Sequence, residues 1–127
     1  MTERTTRNKT VIMEFLTKAF TERDFTPLEQ WFSPEYIQHN PYIPAKRAGL
    51  RGFVEQLPEG RRYEPGMIVA EGDLVMVHGR YSGGGKPLIA ADIFRFEGDL
   101  VVEHWDVLQE EVPAEKIVAG NAMFTMP

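Results

Sequence analysis

The chain changes its period once. From Asn8 to Leu57 apolar residues recur every three or four positions, and from Met67 to Leu108 they fall in short β-rich runs. In the first half Val11, Ile12, Phe15, Leu16, Ala19 and Phe20 form one helical stripe over residues 8–21. TPLEQWF, from Thr26 to Phe32, predicts a second helix, with Thr26 as N-cap, Pro27 at the first position and Glu29 completing a capping box. Leu50, Phe53, Val54 and Leu57 predict a third over residues 45–57, stopped by Pro58. Between these lies YIQHN (36–40), a short β-like piece halted by Pro41.

In the second half, Met67–Glu71, Leu74–Ser82, Leu88–Phe96 and Leu100–Leu108 read as strands. They are separated by EGD (71–73), GGGK (83–86) and a second EGD (97–99), all turn signals. Helices first and an antiparallel meander second point to an α+β fold, with helices on one face of a curved sheet and a cavity between the layers. At 127 residues with no linker or repeat, a single domain over 1–127 is expected.

Composition removes several function classes. A net charge of −5 with no basic face argues against nucleic acid. No apolar run nears the ~20 residues of a membrane span, and the polar start MTERTTRNKT has no signal-peptide core. With no cysteine there is no disulfide, thiolate metal site or cysteine nucleophile, which fits a reducing cytoplasm. GGGK lacks the phosphate-loop pattern. The three histidines lie in separate elements without metal-ligand spacing, so no metal is expected.

The strand faces carry the chemistry. A three-residue EGD loop sets Phe96 opposite Leu100, Phe94 opposite Val102 and Asp92 opposite His104. That register places Leu88, Ala90, Asp92, Phe94 and Phe96 on the cavity face with Leu100, Val102, His104, Asp106 and Leu108. Leu74, Met76 and His78 join from the preceding strand, while Arg95, Glu103 and Trp105 point away. Asp92, His104, Asp106 and His78 thus converge on an apolar surface. Either they pair with one another structurally, or a carboxylate of raised pKa beside a histidine serves as a general base. Trp105, Val107 and Val101 on the other face suit a dimer patch or packing under the C-terminal tail.

YIQHNP, ADIFRFEGD (91–99) and VVEHWDVLQ (101–109) together resemble the SnoaL-like branch of the nuclear transport factor 2-like superfamily. The resemblance implies a cone-shaped α+β half-barrel, with three N-terminal helices packed on a strongly curved, mainly antiparallel sheet. It also implies an apolar pocket and homodimerisation through the outer sheet face. In the polyketide cyclases of that family the aspartate matching Asp106 removes a proton α to a carbonyl, a nearby histidine (here His104) assists, and no cofactor takes part. The site expected here is therefore Asp106 and His104 as the catalytic pair. His39, Asp92 and His78 hold polar groups of a small apolar carbonyl compound, and Tyr36, Trp31 and Phe94 form apolar walls. The competing expectation is a non-catalytic ligand-binding or dimerisation module of the same fold.

Overall fold

The computed structural model describes residues 2–126. Helix α1 (Glu3–Thr17) starts earlier than the apolar stripe, because Thr2 and Thr5 form a reciprocal capping box. It runs into a π-helical turn, Lys18–Glu22, and continues the buried stripe through Ala19 and Phe20. Helix α2 (Thr26–Trp31) has Phe25, not Thr26, at its N-cap. The capping box expected for Thr26 and Glu29 is absent; Asp24 Oδ1 instead accepts the Thr26 N–H at 3.0 Å. Strand β1 (Phe32–Gln38) and helix α3 (Lys46–Glu55) follow.

The meander comprises β2 (Arg62–Glu71), β3 (Leu74–Ser82), β4 (Leu88–Glu97) and β5 (Leu100–Glu110). With β1 it forms one open five-stranded sheet in the order β1-β5-β4-β3-β2. The pairs within the meander are antiparallel and β1 joins β5 in parallel, so the sheet is mixed. Pro34, which cannot donate to a ladder, lies in edge strand β1. Irregular steps in β1 (Phe32 to Ile37), β2 (Pro65 to Ile68) and between β4 and β5 break the ladders. Such steps bend and twist the strands that carry them. The helices pack on one face of the sheet. Phe15, Leu16, Leu28, Phe32, Val54, Val75, Val77, Phe94, Phe96 and Val101 are almost wholly buried between the layers.

The second EGD hairpin differs from the sequence expectation. Its loop has two residues, Gly98 and Asp99, so Glu97 pairs with Leu100 and Phe96 with Val101. Gly98 takes φ +58°, the positive value that a tight hairpin favours at this place. That register alone would turn His104 and Asp106 outward. One extra residue in β5, Val102, restores them: Phe96 pairs with Val101, but Arg95 already pairs with Glu103. Beyond the bulge Phe94 faces His104 and Asp92 faces Asp106. Val101 is therefore core, and Leu100 and Val102 leave the cavity face to which the sequence pattern assigned them.

Strand β3 also presents the opposite face from the one expected. Val75, Val77 and Tyr81 are buried inward, while Leu74 and Met76 are exposed. Leu74 and Met76 share their face with His78 and Arg80, so the Val75, Val77 and Tyr81 face is the more apolar one, and it packs inward with Val75 opposite Phe94 and Val77 opposite Asp92.

Candidate active site

The site is built where β4, β5 and the segment just after β1 meet. Along YIQHN the side chains alternate: Tyr36 and Asn40 are buried, Gln38 is half-buried, and Ile37 and His39 are exposed. The His39 N–H donates to the His104 carbonyl at 3.0 Å, which extends the parallel ladder past Gln38. Pro41 then ends it, leaving Asn40 as the last inward residue.

These inward groups meet the two strands of the HWD hairpin. Asp92 Oδ1 lies 2.8 Å from His104 Nε2, and Asp92 Oδ2 accepts the Tyr81 hydroxyl at 2.9 Å. His104 Nδ1 lies 2.7 Å from Gln38 Oε1, and the Asn40 Nδ2 amide donates to both oxygens of Asp106 at 3.0 and 2.8 Å. Asp106 Oδ2 is 3.9 Å from His104 Nε2. Asp92, His104 and Asp106 are 3, 7 and 8% exposed at their side chains.

This wiring fixes where the protons lie. Gln38 Oε1 already accepts the backbone N–H of Asn40 at 2.9 Å, so it is an oxygen, and His104 Nδ1 must donate to it. The other ring nitrogen faces a carboxyl oxygen at 2.8 Å. Two bare acceptors at that distance would repel, so one proton lies between Asp92 and His104. As an ion pair or as a neutral pair, the couple carries no net charge. Burial pushes the Tyr81 phenol well above its usual range, which keeps it a donor to Asp92. Asp106 is the remaining carboxyl. Desolvation raises it above the usual carboxylate range, and Asp92 adds to that rise; the Asn40 amide and His104 oppose it.

All three ionisable groups line one cavity beneath the helices. Phe15, Leu16, Phe20, Leu50, Phe53, Leu57, Phe94 and Leu108 give it an apolar wall. About 90 Å³ is open to the centre of a water-sized sphere, against the ~10–15 Å³ that admits one water. Asp92, His104 and Asp106 also place one ligating atom each within 4.8 Å of one another. A metal there would have to break the Asp92–His104 contact, since Nδ1 is already a donor to Gln38.

Of the eight residues expected at the site, Asp106, His104, Asp92 and Phe94 line the cavity. The other four do not. His39 lies on the outer face, stacked on Trp105 at 5.0 Å and bonded to Glu103 at 2.7 Å. His78 follows β3 outward, where its ring sits 6.4 Å from that of Phe124 in the tail. Trp31 lies beneath the Arg7 guanidinium, 4.8 Å from the ring centre. Tyr36 faces inward but belongs to the core behind the pocket, edge-on to Phe32 and bonded to Gln38. Gln38 and Asn40 were missed. The alternation of YIQHN held the signal: if Tyr36 points in, Gln38 and Asn40 follow and His39 cannot.

The sequence pattern of the SnoaL-like domain matches residues 12–104. No curated protein matches. A candidate ketosteroid isomerase from Kribbella flavida superposes with a TM-score of 0.74 at 14% identity, over 86% of this chain and 82% of that one. A candidate SnoaL-like polyketide cyclase from a Jannaschia species gives 0.72 at 16% identity, over 85% and 89%. TsrD from Streptomyces laurentii gives 0.68 at 22% identity, over 85% and 90%. At these identities the structures speak for the fold, while the domain match extends over most of the sequence. The chain belongs to the SnoaL-like domain family, within the nuclear transport factor 2-like superfamily.

Proposed function

We propose that this protein is a cofactor-independent enzyme that moves a proton next to a carbonyl, in an aldol-type cyclisation, isomerisation or dehydration. The observation that carries this is Asp106: a nearly buried carboxyl, raised by desolvation, facing an apolar cavity and held by a single amide group. A base poised nearer neutrality than an ordinary carboxylate, on an apolar wall, suits removal of a weakly acidic C–H proton. Asn40 orients it by donating to both oxygens. Once Asp106 has taken the proton it is neutral, and the developing enolate lies beside the Asp92–His104 couple. The proton that couple holds can shift toward the imidazole or the carboxyl without a net change of charge. Asp106 then returns its proton to a different atom of the substrate. The names of the structural relatives, which include polyketide cyclase and ketosteroid isomerase, fit chemistry of this kind.

The test is deuterium exchange at carbonyl-adjacent carbons, followed by proton NMR, over small enones and β-keto esters. We expect exchange with at least one compound and a loss of ~100-fold or more in Asp106→Asn, the usual weight of a positioned general base. Exchange at equal rates in both proteins would end the proposal.

A second reading has its own observation. Asp92, His104, Tyr81 and Gln38 satisfy one another with no ligand, as a structural network in a ligand-binding module would. In that case ligands bind and no exchange occurs. We further propose that a second copy covers the outer sheet face, where Met67, Val69, Met76 and Val107 are 50, 60, 44 and 70% exposed.

A further inference from the structure

Arg61 lies between α3 and β2 and lines the same cavity as Asp106. Phe20, Leu57, Tyr81 and Leu88 line that cavity too. Only one corner of its guanidinium is spent: Nη1 donates to the carbonyls of Gly83 at 3.1 Å and Lys86 at 3.0 Å. Among the described residues Nε and Nη2 have no partner, and no carboxylate lies within ion-pair reach. Arg47, Arg51, Arg80 and Arg95, by contrast, each meet a glutamate. Burial pulls Arg61 below the usual arginine range, with only Tyr81 opposing. A cation on an apolar wall costs free energy unless an anion meets it. Its unspent edge, Nε with Nη2, is the pair of parallel donors that a carboxylate accepts.

We propose that the ligand of this cavity is a keto acid, whose carboxylate sits on Nε and Nη2 of Arg61 and whose carbonyl end points to Asp106. The carboxylate half of this stands on Arg61 alone; the carbonyl half rests on the function proposed above. Charge sets the direction, because Asp106 repels the acid end and Arg61 attracts it. Spacing sets the length. Leu88 follows by two residues Lys86, whose carbonyl Arg61 holds, and precedes Asp92, opposite Asp106, by four residues of β4, about 13 Å of strand. Side chains reach in from both ends, so the ketone and the carboxylate are separated by several carbons rather than adjacent.

The experiment measures binding calorimetrically for levulinate and its one- and two-carbon longer homologues, each against its methyl ester. Wild type should bind at least one acid about tenfold more tightly than its ester, as a charge-assisted pair predicts. Arg61→Gln should lose that preference while ester affinity stays the same, and Arg61→Lys should recover part of it. The wild-type comparison stands even where a variant folds poorly. If no acid is preferred over its ester, or Arg61→Gln keeps the preference, the proposal is overturned. Exchange at the ketone is read on the same samples. Acid-selective binding without exchange leaves the anion site standing and ends the catalytic reading; exchange without acid preference does the reverse.

Discussion

Asp106 and Asp92 are both carboxyls on facing positions of a hairpin, yet replacing them should have opposite effects. Asp92 is committed to His104 and to Tyr81. Asp92→Ala strands an imidazole nitrogen and a buried hydroxyl, and should destabilise the protein by ~3 kcal/mol in urea titration. A loss below ~1 kcal/mol would show that no proton is shared there. Asp106 is held by one amide and raised by burial. A carboxyl raised in the folded state binds its proton more tightly there than when unfolded. Its contribution is therefore fully present below the unfolded pKa and is lost as pH rises through the folded value. Asp106→Asn removes that loss. The variant should melt above wild type at neutral pH, and the gap should close as the solution is acidified below the ordinary carboxylate range. A gap that widens in acid would mean that Asp106 is a structural anion.

At the scale of elements, the order of helices and strands could be read from period alone, and β3 begins and ends where its pattern does. Which face each strand presents was less accessible. In LVMVHGRYS, Leu74 and Met76 pointed to one face, although Arg80 shares that face and Val75, Val77 and Tyr81 make the more apolar one that packs inward. The bulge at Val102 has no marker of its own in VVEHWD. An unbulged three-residue loop and a bulged two-residue loop leave Asp92, Phe94, His104 and Asp106 facing the same way, which is why half the site was legible despite the wrong register. His39 and His78 drew attention as residue types, whereas Gln38 and Asn40 act by position. Two changes test this account. Deleting Val102 should turn His104 and Asp106 outward and abolish cooperative unfolding in circular dichroism; a normal transition would remove the bulge from the explanation. Gly79→Ala should cost about 1–3 kcal/mol, because an added Cβ there would collide with the buried Tyr63 ring.

For the whole molecule, the two faces of the sheet divide the work. The inner face and the helices make the cavity. The outer face carries the apolar residues proposed to meet a second copy, beside a band of paired charges in which Glu103 joins Arg95 and His39. Val107→Glu puts a charge in that patch and leaves the cavity untouched. Light scattering should show wild type at twice the chain mass and the variant at one, with the proposed proton exchange retained. A monomeric wild type removes the proposed interface without touching the site.

The site also straddles a seam. Gln38 and Asn40, which set the imidazole tautomer and hold the Asp106 carboxylate, come from the end of an edge strand whose ladder to β5 is broken between Phe32 and Ile37. Edge segments open locally at a lower free energy than the interior of a sheet. Function and fold should therefore fail at different temperatures. On warming, amide protons of residues 37–40 should exchange with solvent, and the proposed activity should fade, while β3, β4 and the buried face of α1 stay protected. The working range of this protein would then be set by the detachment of one short segment rather than by the melting of its core.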